Sequence, residues 1–289
     1  MPFLKILLFY FLTGMVLLCP CSLYAAEPIP IVVTLPVLKS LVEKVGGRYV
    51  TVSSLITGLE SEHTYTPRPS DVIAVKNAKM LVKVGLGLDI WLDSLIKNAD
   101  RPNLLTVTTS KGVPLIKGNP HIWLDPEMAK IMTRHITKGL SKIDPARQKE
   151  YQNNEATFAL ALDKLTAEMI VKVKGVQNPK IITHHPAWPY FAKRFGFIIA
   201  GEIQPQVGSE PSAKRMVELT QLIRRAEIGV VLSEPQLNPK MPVILAEETG
   251  AQIVILSPMP VAHTHTEDYL DFIRYNVETL VYTLVSVKK

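Results

Sequence analysis

After Asp144-Pro145 the chain carries no further proline or glycine until Gly175. Within that span Tyr151, Phe158, Leu162, Leu165, Met169 and Val173 follow one another at intervals of seven, four, three, four and four residues. Apolar residues at these intervals share one face of an α-helix. Asp144 and Pro145 suit a helix start as N-cap and first-position residues. The span predicts one helix of about 30 residues, about 45 Å long at 1.5 Å per residue. Such a helix is longer than a crossover between neighbouring strands needs. It is expected to be a stiff spine, segment 144–175, joining two lobes; a long core helix of a single domain is the alternative.

Both flanks alternate strand and helix. Before the spine, Ile31-Val32-Val33-Thr34 is a strand, and Leu38, Leu41, Val42 and Val45 line one face of a helix ended by Gly46-Gly47. Strands near Val50 to Ile56, Met80 to Val84 and Leu104 to Val107 follow. Between them come a short helix capped by Ser70 and another near Ile90 to Ile96. Pro126 to Ile143 is an amphipathic helix with Met128, Met132, Ile136 and Leu140 in one stripe. After the spine, strands near Lys180 to Thr183, Phe197 to Ala200, Ile228 to Leu232 and Gln252 to Leu256 alternate with helices near Ser212 to Ala226 and Pro239 to Glu248. A last helix runs from about Glu267 to Val285. This alternation predicts an α/β fold of two lobes, each with a mainly parallel sheet flanked by helices. The lobes are expected at 27–143 and 176–289.

Residues 1–26 differ from the rest. Lys5 is their only charge, Ile6 to Cys19 is almost wholly apolar, and Ala25 and Ala26 precede Glu27-Pro28. This is the layout of an export signal peptide, and it is shorter than a membrane span requires. The mature chain is therefore expected outside the cytoplasm, in the periplasm. Both cysteines, Cys19 and Cys21, fall in the leader, so disulfides, thiolate ligands and cysteine nucleophiles are all excluded from the mature protein. The net charge of +6 drops by one unit with Lys5, and the remaining basic residues form no cluster. That argues against nucleic-acid binding.

His63, His121 and His185 each sit between a predicted strand and a predicted helix. His121 lies in Gly118-Asn119-Pro120-His121-Ile122-Trp123-Leu124-Asp125-Pro126, a short strand or extended turn in which Asp125 and Pro126 open the next helix. Several imidazoles with at most one carboxylate suit Zn²⁺, whereas Mn²⁺, Mg²⁺ and Ca²⁺ favour more oxygen. The residues alone leave open whether these histidines bind metal or are incidental loop residues. His135 is expected to be an ordinary helix-surface histidine.

Three segments carry a resemblance. Ser61-Glu62-His63-Thr64-Tyr65-Thr66-Pro67-Arg68-Pro69-Ser70-Asp71, Asn119-Pro120-His121-Ile122-Trp123-Leu124-Asp125-Pro126 and His185-Pro186-Ala187-Trp188-Pro189-Tyr190-Phe191 resemble the ligand loops of zinc/manganese-type solute-binding proteins of bacterial metal ABC transporters, the cluster A-I group. Glu234-Pro235-Gln236, Tyr269 and Asn276 fit the same pattern. The resemblance runs from about Ile31 to the C-terminus. It implies two α/β lobes bridged by one long helix, with a metal ion in the cleft and no catalysis. It assigns His63, His121 and His185 as ligands. A histidine in the third place, with Glu62 beside His63, is similar to the zinc-binding subgroup.

The sequence departs from the family in two places. Ser257 stands where an aspartate is usual, so Glu62 or a water is expected to complete the coordination. Lys111 to Gly118 is short and lacks the His-rich loop common in zinc members, while His263 and His265 form an H-x-H that could supply a ligand or an accessory site. The expected function is an extracytoplasmic Zn²⁺ receptor, with Mn²⁺ or Fe²⁺ as alternatives. It would work as a monomer, peripheral to the membrane, and hand its ion to an ABC permease. The rivals are a zinc-dependent hydrolase, with Glu62 as the only evident general base, and a surface adhesin.

Overall fold

The computed structural model describes residues 27–206, 208–261 and 266–287. The leader, both cysteines, His263 and His265 lie outside the described residues. Eight strands form two sheets. β1 (Ile29–Val33), β2 (Val50–Ser54), β3 (Met80–Lys83) and β4 (Leu105–Thr108) are ordered β2-β1-β3-β4. β5 (Lys180–Thr183), β6 (Ile198–Glu202), β7 (Val230–Ser233) and β8 (Gln252–Ile255) are ordered β6-β5-β7-β8. Every pairing is parallel. The two sheets thus share one topology without a sequence repeat. In each, the chain steps to one side of the first strand and then crosses to the other, so loops diverge at the carboxyl ends of the strands. Ligand crevices in open α/β sheets form at such ends.

Helices cover the sheets. They are α1 (Pro36–Gly46), α2 (Pro69–Asn77), α3 (Leu92–Asn98), α4 (Pro126–Ile143), α5 (Gln148–Val173), α6 (Pro189–Phe195), α7 (Ala213–Arg225), α8 (Lys240–Thr249) and α9 (Tyr269–Ser286). On α1 the predicted stripe Leu38, Leu41, Val42 and Val45 is wholly buried. Burying these four contributes on the order of 6–10 kcal/mol relative to exposure. No helix among the described residues is long and apolar enough to cross a membrane.

The spine is α5, 26 residues long, entered through a 3-10 turn at Pro145–Arg147. All six stripe residues from Tyr151 to Val173 are buried, against α4, α1 and α9. Asp144 does not cap it. Its carboxylate instead accepts from Tyr151 Oη (2.6 Å) and pairs with Arg147 (2.9 Å). Ser70 likewise does not cap α2, because Pro69 already occupies the first helical position. There the Asp71 carboxylate accepts from the Arg68 backbone N–H (2.6 Å) and from Tyr65 Oη (2.7 Å).

Candidate metal centre

Three strand-to-helix loops converge between the sheets. Glu62 and His63 lie between β2 and α2, His121 between β4 and α4, and His185 between β5 and α6. Glu62, His63, His121 and His185 each offer a nitrogen or oxygen, all within 4.8 Å of one another. Two nitrogens bound tetrahedrally to one zinc at about 2.1 Å lie roughly 3.4 Å apart, so a small contraction would bring the set to bonding distance. The ring centroids of the three histidines are 5.2 to 5.8 Å apart.

His121 is held most firmly. Instead of the expected strand or extended turn, Ile122–Leu124 forms a 3-10 turn with His121 at its start. Asp125 caps α4 as predicted, accepting from the Glu127 N–H (2.9 Å), and the bidentate guanidinium of Arg194 grips the same carboxylate from the second lobe (2.6 and 3.0 Å). His121 is 2 % exposed, with its Nδ1 2.9 Å from Asn119 Oδ1 and its Nε2 3.1 Å from Glu62 Oε1. When Nδ1 carries the proton, the bare Nε2 lone pair faces a carboxylate oxygen. A cation between the two turns that repulsion into attraction.

His185 is buried in the second lobe, and neither of its ring nitrogens has a well-formed hydrogen bond. Its Nδ1 lies 2.6 Å from Glu234 Oε2. Glu234 Oε1 accepts from Trp188 Nε1 (3.1 Å) and from the His185 backbone N–H (3.4 Å). Paired with Glu234 at Nδ1, the buried ring has no protein partner at Nε2, and a metal ion there would satisfy it.

Electrostatics divide the three rings. Burial pushes His63 down to about 4, outweighing the opposing pull of Glu62. Burial also lowers His121, against its hydrogen bond to Glu62. Burial works on His185 in the same direction, but there the Glu234 carboxylate prevails and its pKa rises. Burial raises the Glu62 acid, yet the His121 hydrogen bond and the neighbouring imidazoles bring it down to about 2. The site therefore combines a carboxylate with two imidazoles that resist protonation and one, His185, that holds a proton more readily than they do.

Two other residues weighed in the sequence have partners of their own. Ser257 Oγ is engaged by Gln236 Nε2 (2.8 Å) and the Met259 carbonyl (2.5 Å). His135 Nε2 contacts the Lys111 carbonyl on the far side of α4 (2.8 Å). Asn119, Glu234 and Arg194 are the supporting residues to which sequence reasoning gave no role. Glu234 had a readable signal, as an acid at the end of a strand before a proline; Arg194 stood in Arg194-Phe195-Gly196, which fits the family resemblance, but its pairing with Asp125 left no trace in the sequence.

The fold defines a class, the two-lobed α/β receptor, and groups that could hold a metal ion meet between its lobes. Residues 31–283 match the family described as ZnuA, zinc-uptake complex component A, periplasmic. The chain belongs to this family of metal-binding, extracytoplasmic solute-binding proteins, which serve ABC transporters and are not enzymes. It is 27% identical to the high-affinity zinc uptake system protein ZnuA of Brucella abortus, covering 83% of this chain and 86% of that one. It is 25% identical to the iron-binding protein YfeA of Yersinia pestis, covering 88% of each. A crystal structure of ZnuA superposes with a TM-score of 0.81 at 28% identity, over 89% of this chain and 99% of that one.

Proposed function

We propose that this protein is an exported, high-affinity Zn²⁺ receptor that delivers its ion to an ABC permease. His63 and His121 of the first lobe, His185 of the second and Glu62 hold the ion. The observation that carries the reading is the convergence of three imidazoles and one carboxylate, with the buried His185 ring lacking a protein partner at Nε2. Three nitrogens and one oxygen match zinc's tetrahedral preference; Mn²⁺ would call for more oxygen. Residues 1–26 act as the export signal. The mature chain works as a monomer, with lobes at 27–143 and 176–289 joined through 144–175.

Elemental analysis of protein purified without added metal should give about one zinc per chain. Recovery of no transition ion, or undiminished retention in His121→Ala, would sink the proposal. In thermal-shift titrations Zn²⁺ should raise the midpoint more than Mn²⁺. Free ion at 1,000 times its Kd stabilises the bound form by about 4 kcal/mol. A larger shift with Mn²⁺ would overturn the choice of metal and leave the receptor reading intact.

A further inference from the structure

One amide links the two lobes at the site. Asn119 Oδ1 accepts from the backbone N–H of His121 (2.9 Å), and its Nδ2 donates to the carbonyl of Pro186 (2.5 Å), the residue after His185. A backbone N–H can only donate and a carbonyl can only accept, so these two bonds fix which end of the amide is oxygen. That oxygen faces His121 Nδ1 at 2.9 Å and can only accept, so it favours a proton on Nδ1, in competition with the Glu62 carboxylate 3.1 Å from Nε2; a cation at Nε2 removes the competition and leaves the lone pair there. The Asn119 carbonyl in turn accepts from Tyr190 Oη (2.9 Å), whose oxygen also accepts from the Ile116 N–H (2.9 Å). Tyr190 belongs to α6 in the second lobe.

We infer that Asn119 is a positioning residue with two linked tasks: it selects the His121 tautomer that offers Nε2 to the metal, and it ties that ligand to the second lobe through the Pro186 carbonyl. Separation of the lobes at Pro186 therefore loosens the ring that binds the ion. Release of metal and opening of the cleft depend on the same side chain. This inference rests on His121 being a ligand.

Two substitutions separate the tasks. Asn119→Ala removes the acceptor and the donor, and should weaken Zn²⁺ binding by about 10–100-fold, the usual effect of losing a ligand's hydrogen-bond partner. Nitrogen-15 NMR of the metal-free variant should then show the His121 proton shifted from Nδ1 to Nε2, where Glu62 accepts it, while the native protein keeps a proton on Nδ1. Asn119→Asp keeps the acceptor and loses the donor. It should restore the Nδ1–H tautomer and recover most of the affinity. It should nevertheless release Zn²⁺ to an excess of chelator about fivefold faster than the native protein, the scale of one lost hydrogen bond.

An unchanged tautomer with native affinity in Asn119→Ala would overturn the inference. So would a native release rate in Asn119→Asp. His121→Ala is the parallel control. If it binds Zn²⁺ as tightly as the native protein, the ligand assignment itself has failed, a result distinct from either failure at Asn119.

Discussion

The first lobe sends two arms into the cleft, and they are built in opposite ways. The arm from Ile116 to Pro126 is gripped by the second lobe through Asn119, Tyr190, Arg194 and the Pro258 carbonyl, which accepts from Trp123 Nε1 (2.6 Å). The arm from Thr57 to Arg68 is braced mainly within itself. Thr57 and Arg68 both bind the Glu60 carboxylate, and the bond from Gln236 to the Gly58 carbonyl (2.6 Å) reaches it from the second lobe. Exposure follows the bracing: His121 is 2 % exposed at its side chain and His63 is 22 % exposed. One arm is anchored and the other is a door.

The strongest way to break this contrast is to remove each imidazole. His121→Ala should cost more than about 100-fold in zinc affinity and His63→Ala roughly tenfold, read by chelator competition; outer-sphere losses alone reach 10–100-fold. Equal losses would show that the arms do not differ. Arg194→Ala should lower unfolding stability by about 2–3 kcal/mol in a urea melt, since it strands a buried carboxylate that also caps α4. Arg68→Ala, at an exposed pair with Glu60, should cost under about 0.5 kcal/mol in the same melt. If the two costs match, the first arm is not the anchor.

Gly58 sharpens the picture of the door. Its φ is +99°, and a Cβ there would meet the Pro260 carbonyl oxygen at 2.2 Å. Gly58→Ala should cost about 1–3 kcal/mol, because both backbone strain and a backbone clash oppose it. Its zinc on-rate should rise as the loop is pushed away from Pro260.

The smallest effect is that of pH. Protons compete with metal for the ring nitrogens. His63 and His121 are lowered and His185 is raised, so His185 is the ring from which metal must displace a proton at the highest pH. Proton release on zinc binding, read by calorimetry in buffers of differing ionisation heat, should increase as the pH is lowered from about 8 to about 6, and affinity should fall with it. In the metal-free protein the lowered His63 has the opposite consequence from the raised His185. Unfolded chain takes up protons that folded His63 refuses, so its contribution to stability is full above about 6.5 and is lost toward pH 4. His185 contributes below 6.5 and loses that contribution as pH rises through its folded value.

Much of this was legible in the chain. Hydrophobic period located the spine and the strands to within a few residues, since buried stripes such as Phe158 to Val173 leave a strong pattern. The arms' histidines stood out because Pro126 and Pro189 mark where helices begin. Caps were read less well. Asp144 and Ser70 fit the preference for a cap, yet tertiary partners claimed one carboxylate, and Pro69 moved the other helix start. Long-range partnerships such as Arg194 with Asp125, or Asn119 with Pro186, leave no periodic trace, because each joins residues nearly 70 positions apart. The His121 turn was also misread: Ile122–Leu124 is a 3-10 turn, a short element that has no hydrophobic period to reveal it.

The last helix has a consequence in time. Tyr269, at the head of α9, donates its backbone N–H to Ser40 Oγ (2.9 Å) and its hydroxyl to the Trp123 carbonyl (2.6 Å). These contacts close loops of 229 and 146 residues. Contacts so distant in sequence form slowly, because the entropy of closure must be spent before they reward the chain. On the ribosome the first lobe emerges long before the residue that completes its packing. Until α9 arrives, Ser40 and Trp123 wait half-partnered, and maturation of the cleft between the lobes is timed by the far end of the polypeptide.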